Sequence, residues 1–316
     1  MVREALFISV DWGTSNCRLR LVERSSLRIL TEMKTEVGIR QCYEGFQSQK
    51  DQDQESFFGQ YLATQVRRLS GYGDKLTIVL SGMASANIGL KELEYAALPI
   101  RASGENLITE ETALNTLSNR CLLISGVRAS QDVMRGEEIQ AVGLSEYLPV
   151  DGEAILLLPG THSKHLSYSS GDFHAFSTFM TGELFEVLSQ HTILVNSLEK
   201  TAWDDNSKGP FLDGVRAGVD GRLTRELFGI RAGAILSSTA PHLNYFYLSG
   251  LLIGDELRSI ARDPRPVFLA ASKPLDQLYL TALAEVIDDN QIHCIHPEAV
   301  EQALILAHAK ILATHE

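Results

Sequence analysis

Two short segments carry the residue types that grip phosphate. Asp11-Trp12-Gly13-Thr14-Ser15-Asn16 follows the apolar run Leu6 to Val10, and Pro159-Gly160-Thr161-His162-Ser163 follows the strand-like stretch Glu153 to Leu158. A glycine-containing hairpin turn exposes several backbone N–H groups at once. The hydroxyls of Thr14, Ser15 and Thr161 add donors, so each turn can form a small anion nest. Facing each other across a cleft, two such turns would hold the β and γ phosphates of ATP from both sides. Asp11 ends its strand beside the first nest, where a carboxylate repels phosphate unless a cation intervenes. Mg²⁺ suits that place, because it favours one or two carboxylates with waters and phosphate oxygens. Asp11 is therefore the metal-side candidate. The blander reading is a plain tight turn, since Asp and Gly favour turns anyway.

The other dense cluster is Asp132-Val133-Met134-Arg135-Gly136-Glu137-Glu138. Acidic residues at a helix start answer the helix dipole, which explains part of it. The catalytic reading is that Glu137, Asp132 or Glu138 takes the proton from an attacking hydroxyl. Phosphoryl transfer leaves the protein mainly positioning and charge neutralisation to do. Other devices are missing from the sequence: there is no GxxxxGK[ST], no GxGxxG after the first strand, and no HExxH or GxSxG.

These residues need elements to position them. The patterning predicts strands at Leu6 to Val10, Cys17 to Leu21, Leu27 to Met33, Leu76 to Leu80 and Cys121 to Ser125. It predicts a polar loop over Arg40 to Gln54, a helix over Ser56 to Leu69 and another over Val133 to Tyr147. The second half opens with strands at Glu153 to Leu158 and His165 to Tyr168. Helices then follow at Thr181 to Gln190, Gly209 to Leu227 and His242 to Ala261. Strand Val267 to Ala271, helix Leu275 to Val286, strand Gln291 to Ile295 and a helix from Pro297 complete the chain. Strands mixed with long helices give an α/β class. Both halves open with strand, Gly-Thr turn and strand, a weak internal repeat. It suggests a first lobe over 1–146 and a second over 147–297, with the final helix, 298–316, packing back on the first.

A length of 316 residues suits two domains, and 44% apolar residues give ample core. A net charge of −12 argues against nucleic acid as a partner. The four cysteines show no zinc spacing and read as reduced thiols. The N-terminus lacks the apolar stretch of a signal peptide, and no apolar run spans a bilayer. The expected location is cytoplasmic, without membrane association.

Val10-Asp11-Trp12-Gly13-Thr14-Ser15-Asn16, Ser81-Gly82-Met83 with Asn87-Ile88-Gly89, and Val133 to Glu138 together resemble the 2-dehydro-3-deoxygalactonokinase family. Leu158 to Lys164, Met180-Thr181-Gly182-Glu183-Leu184 and Ser249 to Gly254 extend the resemblance, which runs from residue 8 to about 272. It implies two ribonuclease-H-like (actin-like ATPase) lobes around an ATP cleft. The implied reaction is ATP-dependent phosphorylation of the C6 hydroxyl of 2-dehydro-3-deoxy-D-galactonate, in galactonate breakdown. A kinase of the same fold for another keto-deoxy sugar acid is the alternative. A sugar-sensing repressor on this fold would carry an N-terminal DNA-binding domain, whereas this chain starts at the first strand and is acidic.

Carried over residue by residue, Asp11, Gly13, Thr14 and Asn16 match the first phosphate hairpin, with Asp11 holding Mg²⁺ through water. Gly160 and Thr161 match the second, where Pro159 departs from the usual glycine or carboxylate. Glu137 leads as the catalytic carboxylate, with Asp132 and Glu138 close behind. Ala270-Ala271-Ser272 stands where paired glycines usually meet adenosine. The implied keto-acid substrate invites a cation, Arg135 or Arg18, since a guanidinium grips a carboxylate bidentately. Lys164 could reach phosphate instead. Asn87 and Gly89 would line the sugar side, and His162 reads equally as a structural residue or a phosphate ligand. The oligomeric state is left open, a homodimer included.

Overall fold

The computed structural model describes residues 5–315 apart from 50, 72, 74, 115 and 116. The charged cap at residues 1–4 lies outside them. Two compact units divide the chain: Met1–Tyr147, Gly171–Ala175 and Glu298–Glu316 form unit 1, and Leu148–Ser170 with Phe176–Pro297 form unit 2. Unit 1 opens with β1 (Leu6–Trp12), β2 (Cys17–Glu23) and β3 (Ile29–Thr35), then α1 (Ile39–Gln47), α2 (Gln54–Arg68) and β4 (Thr77–Gly82). It continues through β5 (Ala96–Ala97), β6 (Ile100–Arg101), β7 (Thr109–Ala113), β8 (Arg120–Ile124), β9 (Val127–Arg128) and β10 (Val133–Met134) to α3 (Glu137–Leu144). The second half begins with β11 (Glu153–Leu158), β12 (Ser163–Ser169) and β13 (Asp172–Phe179), followed by α4 (Thr181–His191) and α5 (Asp205–Val219). Next come α6 (Leu223–Leu236), α7 (Pro241–Leu257), β14 (Val267–Leu269), α8 (Leu275–Val286) and β15 (Ile292–Cys294). From Glu298 onward α9 (Pro297–Thr314) belongs to unit 1.

The same sheet is built twice. One sheet runs β3-β2-β1-β4-β8, with β7 outside β8, and the other runs β13-β12-β11-β14-β15. β1 pairs antiparallel with β2 and parallel with β4, just as β11 pairs antiparallel with β12 and parallel with β14. Each sheet then adds a further parallel strand, β8 beside β4 and β15 beside β14. Antiparallel neighbours can be joined by a tight bend, whereas parallel neighbours need a crossover. Each Gly-Thr segment is that tight bend. The architecture is α/β with two ribonuclease-H-like units, the class the resemblance implied.

Packing explains why the central strands read as unbroken apolar runs, because both faces are covered. Ile8, Val10, Ile78 and Leu80 share one core with Phe58, Leu62 and Val66 of α2. Trp12 belongs to that core: it is fully buried, with ring centroids 5.5 Å from Phe58 and 5.4 Å from Tyr61. The tryptophan of the first bend motif is thus an anchor, not a ligand-binding ring. α9 is fixed to the same sheet by His308, whose Nδ1 lies 2.9 Å from Ser9 Oγ and whose Nε2 lies 2.9 Å from Ser81 Oγ. Burial first, and Arg20 second, pull the His308 pKa down to about 3. The imidazole is therefore neutral, with one nitrogen donating and the other accepting. Close approach of α9 to α3 depends on Gly143, where a Cβ would lie 1.9 Å from Ala303 O. In unit 2, α5 and α7 touch backbone to backbone through Gly214, Gly218, Gly250 and Gly254.

Several predicted elements need correction. Helix α3 begins at Glu137, not Val133, because Gly136 takes φ 112° and Val133–Met134 pairs as a strand with Val127–Arg128. The expected loop at 40–54 contains α1, whose buried face is carried by Ile39 and Cys42 with Tyr43 and Phe46 beside them. The apolar residues of α1 do recur at helical spacing, but only over nine residues within a largely polar stretch. The predicted helix 209–227 is two helices, parted at Gly221 with φ 72°. β13 has no counterpart among the predicted strands. Three of the four cysteines, Cys17, Cys42 and Cys121, are buried free thiols.

Candidate functional site

The first bend, Gly13 to Asn16, closes on itself through Gly13 N–H donating to Asn16 O at 2.9 Å. Its carbonyls are held from behind. Ile39 N–H donates to Gly13 O at 2.9 Å and Arg40 N–H to Thr14 O at 3.2 Å, so the first turn of α1 backs the bend. Gly38, the residue before α1, lies so close that a Cβ there would come within 2.2 Å of Thr14 O. Free N–H groups at a helix start carry partial positive charge. Spending two of them on bend carbonyls turns those oxygens away from any anion at the bend and leaves N–H and hydroxyl groups to face it. Ser15 is exposed, and Thr14 and Asn16 are half-buried.

Asp11 pairs across the hairpin with Arg18 and beside Ser81 of β4. Burial raises its pKa, and Arg18 and then Arg20 pull it back. Arg20 is committed to Glu32 at 2.6 Å, but the buried Nε of Arg18 has no hydrogen-bond partner. A carboxylate destabilised by burial favours a nearby cation. Among the described residues no group of three or more His, Cys, Asp or Glu could cage a metal ion. That donor set fits Mg²⁺ held by one carboxylate, waters and phosphate oxygens. It does not fit a closed all-protein site.

Behind Asp11 the ends of β1, β4 and α3 meet. A Cβ on Gly82 would lie 3.2 Å from Asp11 Oδ1, and one on Gly136 would lie 3.9 Å from Gly82 Cα. The acidic cluster therefore sits next to the first bend, inside unit 1. Its three carboxylates differ. Glu138 is 1% exposed and both its oxygens accept the Gly136 N–H, at 2.8 and 2.7 Å. Glu137 is half-buried and accepts Arg135 N–H at 3.3 Å, while Asp132 accepts Val133 N–H at 2.8 Å.

Burial, then the neighbouring Glu137, lifts the Glu138 pKa from 4.5 to about 8. A carboxyl with a raised folded-state pKa holds its proton more tightly than in the unfolded chain. Its contribution to stability is full below pH 4.5 and drains away as pH rises through about 8. Each tenfold change in proton affinity is worth about 1.4 kcal/mol, so the loss amounts to a few kcal/mol. Glu138→Gln, which mimics the protonated form, is expected to flatten this decline when Tm is followed from pH 5 to 8. Parallel declines in the two proteins would refute the assignment.

Arg135 is held by Ser85, its guanidinium donating to Ser85 O at 2.5 Å and to Ser85 Oγ, and it lies 4.3 Å from the Tyr95 ring centroid. Its Nε is buried without a partner. Asn87 is exposed, and its carbonyl accepts from Gln54 Nε2 at 2.9 Å. Gly89 is buried, and a Cβ there would come within 2.4 Å of the Met83 and Ala84 carbonyls. Close packing accounts for that glycine.

The second bend repeats the first. Glu183 N–H, in the first turn of α4, donates to Thr161 O at 3.0 Å. Gly182 plays the part of Gly38: a Cβ there would lie 2.6 Å from Gly160 O. His162 Nε2 meets Glu183 Oε2 at 2.5 Å. Lys164 is 2% exposed, its Nζ donating to His162 O at 2.8 Å, so it braces the bend from within. Thr161 is exposed.

Beside this bend lies an apolar hollow of about 160 Å³, reaching from Gly160 and Gly182 to Pro274 and lined by Phe185, Tyr245, Phe246 and Leu278. It has room for a flat ring and not for a whole nucleotide. Ala270 and Ala271 are buried at the end of β14 and Ser272 is exposed, but the hollow is lined by the residues just after them, Pro274 and Leu275. Its aromatic lining escapes sequence reading, although the Ser249 to Gly254 motif lies on the same helix.

With this geometry in view, the sequence matches the family profile described as 2-keto-3-deoxy-galactonokinase over residues 11–306. It is 32% identical over 293 residues to the candidate 2-dehydro-3-deoxygalactonokinase DgoK1 of Rhizobium meliloti (strain 1021), covering 90% of each chain. It is 28% identical over 261 residues to the 2-dehydro-3-deoxygalactonokinase of Escherichia coli (strain K12), covering 81% of this chain and 80% of that one. A crystal structure of a candidate 2-dehydro-3-deoxygalactonokinase from Sinorhizobium meliloti superposes with a TM-score of 0.81 at 29% identity, covering 97% of this chain and 99% of the other.

Proposed function

Since the chain belongs to the 2-keto-3-deoxy-galactonokinase family, we propose how its residues divide the work of an ATP-dependent kinase acting on 2-dehydro-3-deoxy-D-galactonate in galactonate catabolism. The observation that carries the reading is the duplicated bend: twice, a Gly-Thr turn follows the first strand of a sheet, with two carbonyls of the first bend and one of the second tied to a helix start. Thr14, Ser15 and Asn16 on the first bend, and Thr161 on the second, present donors to the phosphates of ATP, and Gly13 and Gly160 shape the bends that carry them. The base enters the hollow near Phe185 and Tyr245, passing the end of β14 at Ala270, Ala271 and Ser272.

Glu137 accepts the proton of the C6 hydroxyl as that oxygen attacks the γ-phosphorus, and ADP leaves. Arg18 and Arg135, each with an unpartnered buried Nε, are the cations for the substrate carboxylate, and Asn87 lines the sugar side. Asp11 is the carboxylate that would hold Mg²⁺ through water. When bound, the ion neutralises charge on the phosphates. Among the described residues no helix is long and apolar enough to cross a membrane, and we place the enzyme in the cytoplasm.

A coupled ADP-release assay over a panel of keto-deoxy sugar acids tests this. Turnover is expected with 2-dehydro-3-deoxygalactonate, yielding the 6-phosphate by NMR. Equal or faster turnover with a different acid would assign another substrate, and ADP release without acceptor would remove the kinase role.

A further inference from the structure

Glu256 is a carboxylate on α7 that is 2% exposed, and no part of the mechanism above uses it. It is nonetheless densely engaged. Its Oε1 lies 2.9 Å from His165 Nε2. Its Oε2 accepts from Tyr279 Oη at 2.7 Å and from Thr181 Oγ1. Tyr279 Oη in turn lies 2.9 Å from Ser163 Oγ, and Gly160 N–H donates to Ser163 Oγ at 3.4 Å.

The directions of these bonds follow from chemistry. A carboxylate only accepts, so the single phenolic proton of Tyr279 goes to Glu256. Burial pushes that phenol well above its ordinary pKa, so it keeps the proton it donates. Ser163 must then donate to Tyr279, which leaves a Ser163 lone pair to receive Gly160 N–H. The result is one directed chain, from Gly160 N–H through Ser163 and Tyr279 to Glu256. Its second branch, Thr181, is the first residue of α4, the helix whose start backs Thr161. Bend and helix start are thus tied to one buried carboxyl group.

We propose that Glu256 is a positioning residue for nucleotide binding, holding the Gly160-Thr161 bend and the start of α4 in register through Tyr279, Ser163 and Thr181. This rests on the reading that the bend donates to ATP phosphates. Gly160 N–H is turned inward by the chain, so the outward donors are those of Thr161 and His162.

The test is steady-state kinetics and thermal melting on the full chain for Tyr279→Phe, Glu256→Gln and Thr161→Val. Tyr279→Phe keeps the ring and removes one link. It is expected to raise KM for ATP about tenfold, the scale of one charge-assisted hydrogen bond, with KM for the sugar acid unchanged. Glu256→Gln should do the same or more, and if that variant does not fold, Tyr279→Phe alone decides. A fall in Tm with KM for ATP unchanged in Tyr279→Phe would overturn the proposal, leaving a purely structural network. If Thr161→Val raises KM for ATP while Tyr279→Phe does not, the proposal fails and the bend reading stands. If none of the three variants moves KM for ATP, both fall.

Discussion

Glu137→Gln is expected to lower kcat by about 10²–10⁴-fold, the usual worth of a general base, with KM for ATP and sugar acid moved only a few-fold. The ranking among the three carboxylates comes from their surroundings. A base must be able to reach the substrate hydroxyl. Glu138 spends both oxygens on Gly136 N–H and is closed from solvent. Asp132 sits ahead of the short strand β10, where it caps Val133 N–H. Glu137 opens α3, immediately after the turn at Gly136 that approaches Gly82 and, through it, Asp11. It is partly accessible and next to the first phosphate bend. Asp132→Asn is expected to cost less than tenfold in kcat on the same assay. If Asp132→Asn falls by orders of magnitude and Glu137→Gln stays near wild type, the base is Asp132 and the proposed geometry of attack is wrong.

Local chemistry makes the bends legible in the sequence. An apolar run, a Gly-Thr turn and a second strand are contiguous, and the two copies sit at equivalent places in two sheets, so each short contiguous stretch carries the whole signal. The boundaries of β11 and α8 are readable for the same reason. What cannot be read are the partners that arrive from elsewhere. Gly38 and Gly182 look like ordinary loop and helix glycines until the bends they touch are built beside them. The start of α3 is misplaced from sequence because the acidic run suggests a helix from Val133, and only the positive φ of Gly136 stops it there. Glu256, Tyr279, His165 and Thr181 come from four separate segments, and no spacing rule links them. Their shared burial is a tertiary fact. The hollow shows the same limit: the small residues at 270–271 suggest close approach of a base, yet the lining is largely aromatic and aliphatic and comes from α4, α7 and α8.

Gly182→Ala is expected to raise KM for ATP by about tenfold or more and to lower stability by about 1–3 kcal/mol, the range for forcing extra volume into a packed site. The added Cβ would lie 2.6 Å from Gly160 O and 2.8 Å from Thr161 Cα, both backbone atoms of the second bend. A side chain can swing away from such a contact, but a hydrogen-bonded bend cannot. Either the bend or the start of α4 must shift, and the Glu183 N–H to Thr161 O bond, 3.0 Å long, is lost in the process. The equivalent change in unit 1, Gly38→Ala, meets Thr14 O at 2.2 Å and should be at least as damaging. Gly59→Ala is the matched control, because it lies within α2 with its new Cβ in ordinary contact, 3.7 Å from Leu114 Cδ2. There the helix propensity of alanine should add up to about 1 kcal/mol of stability with kinetics unchanged. Melting curves and ATP titrations on the three variants separate a general glycine effect from a bend effect. Wild-type Tm and KM for ATP in Gly182→Ala would mean that the bend tolerates displacement, and a displaceable bend cannot be what fixes the phosphates.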